Sequence, residues 1–239
     1  MFETRHFVTG NFESHAKFVD DATYSTILDN VVKATCDVFI TRPRLTSSSV
    51  SDLDRRVLIE DANEDVEILL GERVGLPHAD WWIPGGRVMP GETVDATARR
   101  VLRRELKLDI GEEPGRVRTV AHYTFVWDTR TQEPIHNGTC DVSIILRVDL
   151  TREESERVEF ISKEYKQLEW RTLASQAALP PGSLHPALEQ GVKDLCAMRE
   201  WERVQTALDA VENVDGADST TLRDIVKRLK KFSELKAVV

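Results

Sequence analysis

The sequence predicts an α/β protein, and three observations carry that expectation. Segments of strand character, VEILLGER (Val66–Arg73), VRTVAHYTFVW (Val117–Trp127) and CDVSIILRVDL (residues 140–150), alternate apolar and polar residues or run apolar throughout. Between the first two, WWIPGGRVMPGETVDATARRVLRRELKLDI (residues 81–110) turns at two glycines and continues with helical spacing. Beyond LPPGSLHP (residues 179–186) the periodicity is helical again.

In chain order, TYSTILDNVVKAT (residues 23–35) sets Ile27, Leu28, Val31 and Val32 at helical spacing and is expected to pack beside the first strand. DVFIT (residues 37–41) and VLI (residues 57–59) read as strands, and the Ser-rich LTSSSVSD (residues 45–52) between them reads as an exposed, inserted loop. WWIP (residues 81–84) predicts a short buried strand, with a helix beginning near Thr93. Asn137-Gly138 closes a polar hairpin loop, residues 129–139, and KQLEWRTL (residues 166–173) supplies a last strand. VDGADSTT (residues 214–221) marks a turn before a final helix whose apolar face is Leu222, Ile225, Val226, Leu229 and Phe232. The expected organisation is an N-terminal extension (residues 1–22), a central domain (residues 23–180) and a C-terminal helical extension (residues 181–239).

Composition narrows the function. The 239 residues carry a formal net charge of -9, which argues against a broad nucleic-acid surface, because such surfaces neutralise phosphates with Lys and Arg. No apolar run is long enough to span a membrane, and the N-terminal residues lack a signal-peptide pattern. Cys36, Cys140 and Cys196 are too far apart for a zinc site and odd in number, so reduced thiols in the cytoplasm are expected.

The loop and helix of residues 81–110 resemble the Nudix hydrolases, whose signature is G-x5-E-x7-R-E-U-x-E-E-x-G-U, with U a bulky aliphatic residue. Without a gap, Gly86, Glu92, Arg100, Leu102, Glu105 and Leu108 match it. Val101 stands where the first acid is expected, Arg104 replaces the first member of the Glu pair, and Lys107 replaces the glycine. The reduced pattern, with ILLGERVGLPHADWWIPGGRV upstream, is similar to the GDP-mannose mannosyl hydrolase branch. The resemblance runs more weakly from about residue 24 to residue 175. It implies the Nudix α/β/α sandwich with a mixed sheet, and a homodimer like that of the branch.

Positions 101, 104 and 105 share one helix face, where three carboxylates could hold divalent cations beside a diphosphate. Only Glu105 is acidic here, so fewer metals are expected. The resemblance implies Glu105 as the carboxylate ligand of Mg²⁺, or alternatively Mn²⁺, with a carbonyl of Gly85 or Gly86 and the side chain of Glu164. Arg73 and Arg87 match arginines that face the diphosphate, and Glu92 with Arg100 is read as an internal ion pair. Arg104 is a candidate counter-charge to phosphate in place of a metal, and one of Trp81 and Trp82 is a candidate for stacking on base or sugar, Trp81 being the one assigned.

Aligning Trp170 with the branch's last strand puts Glu164 and Tyr165 at its catalytic Gln-His pair. A tyrosine with an ordinary pKa near 10 is a poor base at neutral pH, which leaves Glu164, or one of His78, His122 and His136, to act. Asp37 lies near the branch's first-strand aspartate but out of register. Three readings stay open: a Mg²⁺-dependent hydrolase of a diphosphate-linked small molecule, foremost a nucleoside diphosphate sugar; an enzyme attacking phosphorus in nucleotides or prenyl diphosphates; and a non-catalytic domain binding a nucleotide or a protein.

Overall fold

The computed structural model describes residues 4–44, 66–160, 164–212 and 219–236. The strand expected at residues 57–59, the Ser-rich loop at residues 45–52 and most of the turn at residues 214–221 lie outside them.

The expected mixed architecture of sheet and helices is present. β1 (Lys33–Pro43), β2 (Val66–Arg73), β3 (Trp81–Trp82), β4 (Gly85–Arg87), β5 (Val117–Trp127), β6 (Thr139–Asp149) and β7 (Tyr165–Thr172) form one seven-stranded sheet. Its main order is β3-β2-β1-β6-β5, with β4 also paired to β1 and β7 to β2. β1 runs parallel to β6 and antiparallel to β4, so the sheet is mixed. β1 and β6 supply the buried centre: Val38, Ile40 and Val148 are sealed from solvent and pack with Leu102 and Leu106 of the helix that follows β4.

That helix, α2 (Val94–Leu106), starts where Thr93 caps it, the hydroxyl accepting from the Ala96 N–H at 3.0 Å. Ala98, Val101, Leu102, Glu105 and Leu106 form its buried face, the i, i+3, i+4 pattern of a helix laid on a sheet. It ends with Lys107 in the left-handed region at φ 50°, ψ 25°, while the Leu108 N–H reaches the Leu102 carbonyl at 3.3 Å. This termination needs a positive φ, which glycine supplies at least cost; here a lysine bears it.

The first helix differs from the sequence reading. α1 (Asp21–Asn30) is capped by Asp20 and stops before Val31, whose extended backbone leads into β1. Val31 and Val32 are 54% and 58% exposed and are not part of a helical face. Two adjacent β-branched residues favour extended backbone, and they form the link between α1 and β1. α1 is fixed to the β5–β6 connection: Ser25 donates to the Glu133 carbonyl at 2.6 Å, and Arg130 reaches Ser25 at 2.7 Å and Asp29 at 2.6 Å.

The chain divides into two compact units, one built from the described residues through Pro43 with Ile68–Arg171, the other from the remainder. In the second, α3 (Arg152–Glu156) has no part; α4 (Leu173–Ala177) precedes α5 (Pro186–Glu212) and α6 (Ser219–Lys236), which pack through Trp201 and Phe232, ring centres 5.4 Å apart. Arg228 joins Glu200 at 3.4 Å and Asp224 at 2.7 Å. Of the predicted α6 stripe Ile225 is buried, whereas Leu222, Val226 and Leu229 are exposed. Among the described residues no helix is long and apolar enough to cross a membrane.

Candidate active site

A cleft of about 320 Å³ opens in the first unit, where β1, β2, β4, β5 and the start of β7 meet. The antiparallel register of β1 and β4 builds its floor, setting Asp37 opposite Gly85 and Cys36 opposite Gly86. Gly85 is required by this approach, because a Cβ there would collide with the Asp37 carboxylate.

The turn above the floor is held from behind. Arg100 grips both oxygens of Glu92 at 2.7 and 2.8 Å and donates to the Arg87 carbonyl at 2.7 Å. Glu92 also accepts from the Met89 N–H at 3.1 Å and the Thr97 hydroxyl at 2.9 Å. The Arg100 guanidinium, with help from these donors, holds the Glu92 carboxyl down at about 2. This is the geometry of an internal brace.

Arg73, Arg87 and Arg104 all line the cleft. Arg73 has its Nε buried without a hydrogen-bond acceptor among the described residues, and its nearest carboxylate oxygen, on Glu164, is 4.0 Å from Nη2. Arg87 lies 5.7 Å from the Tyr24 ring centre and 3.6 Å from the Met89 sulfur, neither of which neutralises it. Arg104 bridges the loop and the helix: Nη2 donates to the Gly85 carbonyl at 3.1 Å and Nε to Glu105 Oε1 at 2.6 Å.

Glu105 is only 1% exposed, and its second oxygen is buried without a hydrogen-bond partner among the described residues. Val101, the residue in the place of the expected acid, is fully buried, and its methyl packs under Gly86. Glu164 is exposed at the rim. Tyr165 is buried, its ring covering Gly71 so closely that no Cβ fits there, and burial pushes its phenol well above the ordinary value. A phenol held protonated is a hydrogen-bond donor and not a base.

Three groups that sequence reasoning placed elsewhere, or left among equals, enter the cleft. Asp37 accepts from Trp82 Nε1 at 3.1 Å and from the Ser143 hydroxyl, and burial raises its carboxyl above the ordinary range. The β1–β4 register puts it there, a long-range pairing that no local signal encodes. Trp82 stands in the cleft with Phe125, Trp127 and His78, packed edge-on to all three at 5.9, 6.3 and 5.6 Å, whereas Trp81 lies outside it beneath the Arg171 guanidinium at 3.7 Å. Strand alternation sends the two indoles to opposite faces. Of the three candidate histidines His78 lines the cleft, and burial lowers its pKa; His122 and His136 are exposed elsewhere.

A Nudix domain model matches residues 52–195, more than half of the 239-residue chain. The chain belongs to the Nudix family. Among curated proteins none matches. Among solved structures, the chain is similar to a C. elegans Ap4A hydrolase in a binary complex (15% identity over 70% of this chain and 98% of that one, TM-score 0.42). It is similar also to a mutT/nudix family protein from Listeria innocua (17%, 72% and 97%, 0.46) and to the E. coli dihydroneopterin triphosphate pyrophosphohydrolase (17%, 69% and 96%, 0.42).

Nudix hydrolases generally use divalent metal ions such as Mg²⁺, so the donors at this position can be tested against one. They do not fit it. Among the described residues no three His, Cys, Asp or Glu side chains are grouped to hold a metal ion. The two donors nearest such a site, the Gly85 carbonyl and Glu105 Oε1, are already joined by the Arg104 guanidinium, and Val101 fills the adjoining space with a hydrocarbon. A divalent ion would need hard oxygen donors where the chain offers a cation and a methyl group.

Proposed function

We propose that this Nudix domain, in the cytoplasm, hydrolyses a diphosphate-linked small molecule, with a nucleoside diphosphate sugar as its foremost substrate. The observation that carries the reading is the convergence of Arg73, Arg87 and Arg104 on one cleft whose opposite wall is aromatic. Forked guanidinium groups suit a diphosphate, and those of three arginines border the same cleft. Trp82, Phe125 and Trp127 offer apolar surface to the rest of the ligand.

Attack at the sugar carbon suits these residues better than attack at phosphorus. Cleaving the bond between the anomeric carbon and the diphosphate oxygen asks the site to stabilise the further negative charge that the leaving diphosphate gains, which arginines do. Water forms the new bond to carbon, the bond to diphosphate breaks with its electron pair on oxygen, and the water proton passes to a carboxylate. Asp37 is the base in this reading, since it sits on the cleft floor and burial strengthens it. Glu164 at the rim stays near Arg73 and orients it, and Tyr165, its phenol kept protonated by burial, keeps an O–H to donate.

The test is product release from a panel of nucleotide sugars, nucleoside triphosphates and prenyl diphosphates. Wild-type protein is expected to release free sugar, and Arg73→Ala or Arg87→Ala to lose about tenfold to a hundredfold in kcat/KM, the effect of one charge-assisted bond. Turnover of every panel member unaffected by both substitutions would defeat the reading. A second reading, a domain that binds a diphosphate ligand without turning it over, is favoured by the locked Arg104–Glu105 pair. Silence across the panel with retained binding would select it.

A further inference from the structure

We infer that Arg104 is a built-in counterion standing where a Nudix metal would bridge loop and helix, so that the cleft takes its diphosphate free of divalent cation. The inference rests on the reading of the cleft as a diphosphate site and adds which ionic form is bound. Three observations on one helix face support it. The guanidinium holds the Gly85 carbonyl and Glu105 Oε1 at the same time, at 3.1 and 2.6 Å, as a bridging cation does. Its side chain remains 45% exposed to the cleft while that of Glu105 is 2% exposed, so the charge is anchored below and presented above. Val101 and Gly86 close the space beside it, the methyl lying 3.2 Å from where a Gly86 Cβ would stand.

Charge accounting agrees. A carboxylate buried beneath a cleft repels a diphosphate unless a cation covers it, and Arg104 covers it with one positive charge that needs no recruitment from solvent. Its unused N–H groups point the same charge at a phosphate oxygen, and a planar fork suits two oxygens at once. A second cation squeezed against the guanidinium would be repelled, so added Mg²⁺ competes for the ligand in solution and gains no place in the cleft.

The experiment is calorimetric titration of the full chain with inorganic pyrophosphate, in EDTA and in excess Mg²⁺. Wild type is expected to bind at least as tightly in EDTA as in Mg²⁺, and Arg104→Gln to lose about tenfold or more in affinity in EDTA. Arg104→Glu restores the family's acid beside Glu105, so its pyrophosphate binding is expected to require added metal, and Mn²⁺ added alone is expected to give a bound-ion spin-resonance signal that wild type lacks. Circular dichroism establishes that each variant is folded, and the wild-type comparison stands without them. Wild-type binding that appears only with Mg²⁺ overturns the inference and leaves the diphosphate cleft standing. No pyrophosphate binding in either condition overturns both.

Discussion

Arg104 and Glu105, neighbours in sequence on α2, are joined where the arginine side chain lies over the carboxylate and ties it to the Gly85 carbonyl. Glu105 points into a face made otherwise of Ala98, Val101, Leu102 and Leu106, and it is the guanidinium that makes a carboxylate tolerable there. The consequence is that the Glu105 charge is covered from the cleft side, while Arg73, Arg87 and Arg104 present guanidinium groups to the cleft.

Asp37 should separate stability from function. Its folded pKa is raised by burial, so its contribution to stability is greatest below the unfolded value of 3.8 and is lost as pH rises through the folded value. At neutral pH the carboxylate is therefore a cost to folding. Asp37→Asn is expected to raise the unfolding midpoint in urea at pH 7 while lowering turnover by about a hundredfold, the usual worth of a general base. A variant that loses stability and keeps activity would remove Asp37 from the chemistry.

Glu92 has the opposite sign. Its pKa falls from 4.5 to about 2, so its stabilising contribution is full above 4.5 and disappears as pH falls towards about 2. Glu92→Gln is expected to cost about 1–2 kcal/mol at pH 7, allowing for partial solvent screening, and almost nothing near pH 2. Urea titrations of both proteins across that range measure the difference directly; an equal deficit at every pH would mean the brace is not electrostatic.

Lys107 pays for a left-handed backbone that its exposed ion pair with Glu159, at 2.7 Å, does little to offset. Lys107→Gly is expected to stabilise the fold by about 0.5–1 kcal/mol without changing ligand affinity. Denaturant midpoints decide it, and a loss of stability would show that the ion pair outweighs the strain.

The two adjacent indoles make a parity test. Trp82→Ala removes one of the three aromatic residues of the wall and the donor to Asp37 and is expected to weaken ligand binding by about tenfold or more, whereas Trp81→Ala leaves affinity within about threefold, because Trp81 contacts Arg171 outside the cleft. Comparable losses from both substitutions would mean that the ligand reaches around β3.

Much of the frame was legible locally. Apolar alternation and turn residues define β2 and β5 residue for residue, and Thr93 marks the start of α2 because its hydroxyl has an N–H to cap. The Gly86-to-Leu108 spacing identifies the loop and helix, and the same spacing exposes the missing acids at 101 and 104. What was not legible depends on pairing between distant segments. Asp37 enters the cleft through the β1–β4 register, and α1 ends where two valines take extended backbone ahead of β1. The choice between Trp81 and Trp82 rests on which face of a two-residue strand meets the cleft, which composition does not encode.

The central claim is that arginines support departure of a diphosphate from carbon. Turnover of a nucleoside diphosphate sugar in heavy-oxygen water, with products resolved by mass spectrometry, tests it most directly. The account predicts the label in the sugar and an unlabelled nucleoside diphosphate; label in the phosphate would place the attack at phosphorus and contradict it.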